Sequence, residues 1–600
     1  MDDLDGGVKM NFRSLLSKII DKIRTLILTS HVYNDSPMPI HFSKWPKKKK
    51  YDIRKKYFTL SIKGKDDIYK YGFLLLILLF FFLLPYWSLN AGISDHEWQR
   101  AALAQQVANH EIVPAESSYL QNHGIWLDRM AYRLSMKLEA DVFVVRHLMA
   151  SFFGWGILVV LGFWLTRLLT WRAAFFGTLF LCLSPRFVGE ATCNLCDIPF
   201  AFAYLFACYQ LFRLGNDFPR LKIHRLVLLA LGIALACSLH FGGGVLIPYL
   251  LLFPLLYYLL QNPVRKIFTK EYLKNLLFLF GVALGIGLIA GGIACMAYPG
   301  SSFWHISFSD SLRQMTENRD LFCQLFEKDL IWSNNVPRHY LTKYLFITTP
   351  FVILLAFSLF FIVFRTVIKK AKFYHLLFVF SIFFYPLFYI VRNPICVQEG
   401  ISQFIFLYPA LVLLATIGYE ALLQKIDDRY TNFVLVGAVL FLAIMPLRHL
   451  ALNTSFASIY FNEISGGIHN AYGRYELDPA CHSNKVVCTH FLQEIRNNEL
   501  RNFKDDEKIV VCTNGNQACE HFFERDTAFV ELHFCDFDQR QNYAWDYFIV
   551  FPTKISSYQL KSGLWISENY NRRLILLEKK PIAACLKNRI VGPDAPYLPE

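Results

Sequence analysis

The stretch Tyr71-Gly-Phe-Leu-Leu-Leu-Ile-Leu-Leu-Phe-Phe-Phe-Leu-Leu-Pro-Tyr-Trp-Ser-Leu89 carries no charge, and Ile93-Ser-Asp-His-Glu-Trp98 follows a few residues later. An apolar run of ~17 to 25 residues is what a helix needs to cross a bilayer. Asp95, His96 and Glu97 therefore stand where a hydrophobic segment leaves the membrane. Carboxylates are costly to hold beside lipid unless they bind something or take part in chemistry, so Asp95 and Glu97 are read as the candidate catalytic acids. The plainer alternative is a solvated helix cap.

Working outward, similar runs recur near 147–166, 172–188, 198–213, 226–241, 243–261, 276–298, 341–364, 374–391, 402–423 and 431–448, which predicts about eleven spans. In a chain of 600 residues that is 54% hydrophobic and 18% charged, this is the pattern of a polytopic α-helical membrane protein. The net charge of +14 is concentrated in short loops between apolar runs. That is how a membrane protein sets its orientation, and it argues against nucleic acid as a partner.

The most positive linkers are 167–172, 213–225, 265–274, 365–372, 425–429 and the N-terminal region, and with eleven spans they share one side. The N-terminus is thereby expected in the cytoplasm and the C-terminal part outside. No cleavable signal peptide is expected. Residues 12–27 read as a basic amphipathic helix on the membrane surface, followed by a lysine-rich cluster facing anionic headgroups. Three regions result: a cytoplasmic basic segment 1–69, a transmembrane domain 70–448 and an external domain 449–600.

After Arg448 the pattern changes. Lys508–Cys512, Ala528–Leu532, Trp545–Val550 and Arg573–Leu577 read as strands and 484–499 as a helix, a small external α/β domain. Its cysteines, Cys481, Cys488, Cys512, Cys519, Cys535 and Cys585, would be in a compartment that permits disulfides, with pairing left open. Cys193-Asn-Leu-Cys196 has a redox or metal spacing, but a CxxC without a second pair is read as structural. Asp95, Glu97, Arg186, Glu190, Asp197, Lys343 and Arg392 come from separate segments yet all fall at the external mouths of spans. Convergence on one site explains that recurrence better than scattered caps.

Several motifs carry a resemblance. They are Ser94-Asp-His-Glu-Trp-Gln-Arg-Ala101, Ser184-Pro-Arg-Phe-Val-Gly-Glu-Ala-Thr-Cys-Asn-Leu-Cys-Asp-Ile-Pro-Phe-Ala201, Ile331-Trp-Ser-Asn-Asn-Val-Pro-Arg-His-Tyr-Leu-Thr-Lys-Tyr344 with Ile347-Thr-Thr-Pro350, Tyr460-Phe-Asn-Glu463 and Ala471-Tyr-Gly-Arg-Tyr-Glu-Leu-Asp478. In order and topology they resemble the GT-C membrane glycosyltransferases, in the bacterial protein O-mannosyltransferase-like branch.

The resemblance implies an inverting transfer of a sugar from a polyprenyl-phosphate donor to an acceptor hydroxyl on the outer face of a bacterial inner membrane. The acceptor would be a protein, a lipid-linked sugar or a cell-surface glycan. Asp95 matches the position of the catalytic acid, and a carboxylate base contributes roughly 10²- to 10⁴-fold. Glu97 shares that work or holds a divalent metal; no other cofactor is implied. His96 separates two carboxylates that the family has adjacent, and on an extended segment both would point to one side. Arg186, Lys343, Arg392 and Arg338 are the candidates for the donor phosphate, and Asn194 and Asp197 either position sugar hydroxyls or cap the fourth span. The rival readings are a transporter or flippase and a non-catalytic relative.

Overall fold

The computed structural model describes residues 65–588 apart from 110–123, 218–221, 262–269, 298–322, 363, 365–372, 394–396, 398–399, 427–428, 499–507 and 567–570. The amphipathic segment 12–27 and the lysine cluster lie outside the described residues.

All eleven apolar runs are helical. In chain order the helices are α1 (Lys65–Ser88), α2 (Asp95–Ala108), α3 (Trp126–Leu138), α4 (Val142–Leu168), α5 (Trp171–Cys182), α6 (Pro185–Cys193), α7 (Asp197–Asp217), α8 (Ile223–Leu239), α9 (Leu246–Gln261), α10 (Lys270–Ala297), α11 (Tyr340–Thr348), α12 (Phe351–Ile362), α13 (Phe373–Arg392), α14 (Leu407–Lys425), α15 (Arg429–Leu442) and α16 (Ile444–Leu452). Among the described residues six spans are long and apolar enough to cross a membrane, or seven if α11 and α12, bent by 115°, count as one. The eleven expected spans thus divide into these and four shorter apolar helices, α5, α8, α9 and α10. The chain is an integral membrane protein. Its bundle is layered: α14 is 89% buried across its apolar window, whereas α1 is 17% buried and turns its leucines outward.

Beyond α16 a five-stranded sheet has the order β4-β3-β5-β7-β6, from β3 (Ile509–Thr513), β4 (Val530–Phe534), β5 (Tyr547–Val550), β6 (Asn571–Leu577) and β7 (Lys580–Lys587). β4, β3 and β5 are parallel, and β7 pairs antiparallel with β5 and β6. The period-two alternation of the strands divides two cores. Ile509, Val511, Tyr547 and Ile549 pack with α17 (Asn484–Asn498) and α18 (Cys519–Phe523), while Cys512, Phe548 and Val550 join the core that continues into the helical bundle.

Four strands and one helix match the sequence expectation within a few residues. β7 and the hairpin β1 (Cys323–Phe326) with β2 (Asp329–Trp332) were not anticipated. Both β1–β2 and β6–β7 turn through Glu-Lys pairs, Glu327-Lys328 at φ 51° and 83° and Glu578-Lys579 at φ 48° and 65°. Hairpin signals in sequence rely on Asn-Gly or Asp-Gly at such positions, and neither turn has one. Among the described residues Cys481, Cys488, Cys512, Cys519 and Cys535 of this domain are free thiols.

The C-terminal domain clamps the segment between α1 and α2. Asn484 donates to the Ile93 carbonyl (2.7 Å) and accepts from its N–H (3.1 Å), Asn516 donates to the same carbonyl (3.0 Å), and Lys485 reaches the Leu89 carbonyl (2.5 Å). A Cβ on Gly92 would stand 2.0 Å from the His482 carbonyl oxygen, so only glycine admits this approach. Asp141, the N-cap of α4, meets His521 of α18 at 2.9 Å and completes the seam.

Candidate active site

Ser94 caps α2, its hydroxyl accepting from the Glu97 N–H at 3.1 Å. The expectation of an extended segment with both carboxylates on one side is therefore corrected. On a helix Asp95 and Glu97 diverge by about 200°, because the serine supplies the cap that lets the helix begin at Asp95.

Glu97 turns inward. Its carboxylate meets Arg146 Nε at 3.0 Å and His147 Nε2 at 3.1 Å, and Arg146 Nη1 goes on to Asp128 at 2.7 Å. Arg100 forks onto the same Asp128 and donates to the Gly124 carbonyl at 2.8 Å. All of these groups are buried. Burial alone would push both carboxyls up, but His147 and Arg146 hold Glu97 below its ordinary range, and Arg100 and Arg146 do the same for Asp128. His96, pushed down to about 3 by burial and then by Arg100, is neutral. Asp95 faces the other way, half-buried, accepting from Gln99 at 2.9 Å and acting electrostatically on the Cys481 and Cys519 thiols across the domain seam.

Beneath α2 lies a small cavity of about 10 Å³ whose polar wall includes His96, Glu97, Arg100, Arg146, Asn194 and His482. His482 comes from the C-terminal domain and sits 3.4 Å from Cys193 Sγ and 3.3 Å from Ser458 Oγ. Asn194 Oδ1 accepts from the N–H groups of Cys196 (3.0 Å) and Asp197 (2.8 Å), and its Nδ2 donates to Glu190 and Asp197, both at 2.9 Å. The capping alternative describes this geometry: Asn194 ends α6 and starts α7. Among the described residues no group of three or more His, Cys, Asp or Glu side chains could hold a metal ion. The residues around Glu97 therefore do not fit a divalent cation, and Cys193 and Cys196 are packed as buried thiols.

Every residue of α6 is buried, and the helix carries Arg186 in its first turn, about 12 Å from Asn194 along the axis. Arg186 is 3% exposed and its Nε is buried without a hydrogen-bond partner. Among the described residues no carboxylate pairs with it. Glu190, one turn on, is taken by Ser402 (2.6 Å) and Asn194. The neighbours within electrostatic reach of the guanidinium are Tyr340, Tyr344 and Tyr408.

The β1–β2 hairpin roofs these tyrosines. Tyr340 donates to Gln324 (2.9 Å), and Phe326 packs on Tyr340 and Tyr344 at ring separations of 4.8 and 5.7 Å. Glu476, in the Ala471–Asp478 motif, pins the roof: its N–H donates to the Leu325 carbonyl (2.8 Å) and its carboxyl accepts from the Leu325 N–H (3.2 Å). Burial pushes that carboxyl up to about 8. A raised folded-state pKa contributes stability that is complete below the ordinary carboxylate range and is lost as pH rises towards 8. Glu476→Gln is expected to flatten the fall in thermal midpoint between about pH 5 and about 8; an unchanged slope would assign that titration to another group.

The remaining cationic candidates lie elsewhere. Lys343 is 40% exposed and pairs with Glu327 at 3.4 Å, while Arg338 and Arg392 are exposed. Of the four, the fold buries Arg186.

No protein-family profile matches this sequence, and no curated protein matches it. Among solved structures, the chain is similar to ArnT from Cupriavidus metallidurans bound to undecaprenyl phosphate, at 13% identity over 87% of this chain and 98% of that one, with a TM-score of 0.44. It is also similar to the archaeal oligosaccharyltransferase AglB from Archaeoglobus fulgidus, in complex with an inhibitory peptide and a dolichol-phosphate, at 11% identity over 80% and 69%, with a TM-score of 0.42. Neither likeness decides the activity, which rests on the side chains.

Sequence reasoning missed Asp128, Arg146, His147 and His482. Arg146 and His147 lie within the first turns of an apolar helix, and ionisable groups so placed signal a buried partner. His482 gave no such signal, since its place at the cavity depends on how the C-terminal domain docks.

Proposed function

We propose that the chain is a membrane glycosyltransferase of the GT-C type, moving a sugar from a polyprenyl-phosphate donor to an acceptor hydroxyl. The observation that carries this reading is Arg186. A buried guanidinium without a carboxylate partner is costly, by several kcal/mol of lost hydration, and a bound anion offsets that cost. A phosphate matches its planar donor fork, and the surrounding tyrosines suit a headgroup at the membrane boundary.

In this reading the acceptor oxygen attacks the anomeric carbon from the face opposite the phosphate, the bond from that carbon to the phosphate oxygen breaks, and the charge left on the phosphate is held by Arg186. The acceptor proton passes to Asp95. Glu97, Asp128, Glu190 and Asp197 are all buried, whereas Asp95 is half-buried at the start of α2 and stands outside their ion network. Glu97 serves as a positioning residue that holds Arg146 and His147. The motif resemblance supports the same assignment of Asp95.

The test is transfer of labelled sugar from a panel of polyprenyl-phosphate sugars in membranes holding equal amounts of wild type or Asp95→Asn. Wild-type transfer that falls roughly 100-fold or more in Asp95→Asn is expected. Equal rates would remove Asp95 from the chemistry, and wild-type inactivity with every donor would favour a transporter or a non-catalytic binding protein.

A further inference from the structure

At the carboxyl ends of β3, β4 and β5 the C-terminal domain opens a second cavity of about 240 Å³, lined in part by Asn514, Asp536, Asp538, Gln539, Lys554 and Gln559. Its position follows from topology. β3 lies between β4 and β5, and the chain leaves β3 towards β4 on one side and leaves β5 towards β7 and β6 on the other. Where connections diverge in this way, the ends of parallel strands frame a crevice that open α/β sheets use for ligands.

The crevice is braced. Asn514 donates to the Phe551 carbonyl at 2.9 Å and accepts from the Phe551 N–H at 2.7 Å, tying the loop after β3 to the loop after β5. Gln559, in the short helix α19 (Ser557–Ser562), donates to Asp538 at 3.1 Å, and Lys554 meets Asp536 at 3.5 Å. Lys554 holds φ at 61°, an unfavourable angle for a lysine. It also acts electrostatically on Cys323 of β1 and on Glu476, so the crevice borders the roof over Arg186.

The lining selects a ligand class. Two carboxylates against one ammonium leave it net negative, which opposes phosphate and anionic headgroups. A lining this rich in carboxylate, amide and ammonium groups does not suit an acyl chain. What remains is a ligand whose groups each donate and accept. We infer that this crevice binds the neutral sugar units of a carbohydrate and is where an acceptor glycan is held. Only the word acceptor rests on the glycosyltransferase reading; the binding does not.

The experiment is saturation-transfer NMR on the full chain in lipid nanodiscs with maltose, cellobiose and chitobiose, and with inorganic phosphate and a neutral peptide as comparisons. Saturation of at least one disaccharide is expected, falling tenfold or more in the Asp536→Ala, Asp538→Ala double variant, whose two sites are exposed and remote from the buried ion network. No disaccharide signal, a double variant that binds like wild type, or a signal with the peptide or phosphate in place of the sugars would each overturn the inference. The two readings are separable: Arg186→Gln is expected to lose transfer yet keep disaccharide binding, while failure of disaccharide binding with transfer intact would remove the crevice alone.

Discussion

Arg186→Gln is expected to lower sugar transfer by roughly 100- to 1,000-fold, the loss typical when a charge-stabilising donor is removed from a reaction centre, while leaving the thermal midpoint in detergent at or above the wild-type value. The two halves have one cause. With no carboxylate beside it among the described residues, the guanidinium contributes nothing to the unliganded fold that offsets its lost hydration. Glutamine keeps a polar group among the tyrosines without the charge. Binding of polyprenyl phosphate, read by native mass spectrometry, should weaken in parallel with transfer. A midpoint that falls sharply along with transfer would identify Arg186 as part of the scaffold and remove the main support for a phosphate at this place. Lys343→Gln, at a half-exposed pair with Glu327, is expected to change transfer little.

Asp128→Asn is expected to cost about 3–5 kcal/mol of stability, because it leaves Arg100 facing a neutral group at full burial and Arg146 with Glu97 alone. Glu97→Gln should cost less. Arg146 keeps Asp128, and His147 keeps its contact with the Ser88 carbonyl. Thermal unfolding of both variants, together with transfer measured per folded molecule, tests the ranking. Loss of folded protein with near-normal transfer in what remains is the expected result for a scaffold. A Glu97→Gln protein that melts with the wild type yet transfers no sugar would move Glu97 from positioning into the chemistry.

Much of this architecture was legible along the chain because its cause is local. The apolar runs report helices at membrane depth, since a backbone in lipid must satisfy its own hydrogen bonds. The unbroken apolar runs Ile509–Thr513 and Tyr547–Val550 report strands covered on both faces, and the structure uses both. The polar residues at the mouths of the spans were legible as a recurring set. Their roles were not legible. Asp95 and Glu97 look equivalent two residues apart, and the Ser94 cap turns one towards the domain seam and the other into an ion network whose partners lie 31 to 50 positions away. Arg186, Arg338, Lys343 and Arg392 look alike as cations near a mouth. Tertiary packing alone buries Arg186, leaves Lys343 to Glu327 and sets Arg338 and Arg392 in solvent. Burial and pairing are properties of surfaces that meet from distant parts of the chain, so residue type and spacing marked which charged groups stand at the ends of the apolar runs, and only the fold decided which of them is buried without a carboxylate partner among the described residues.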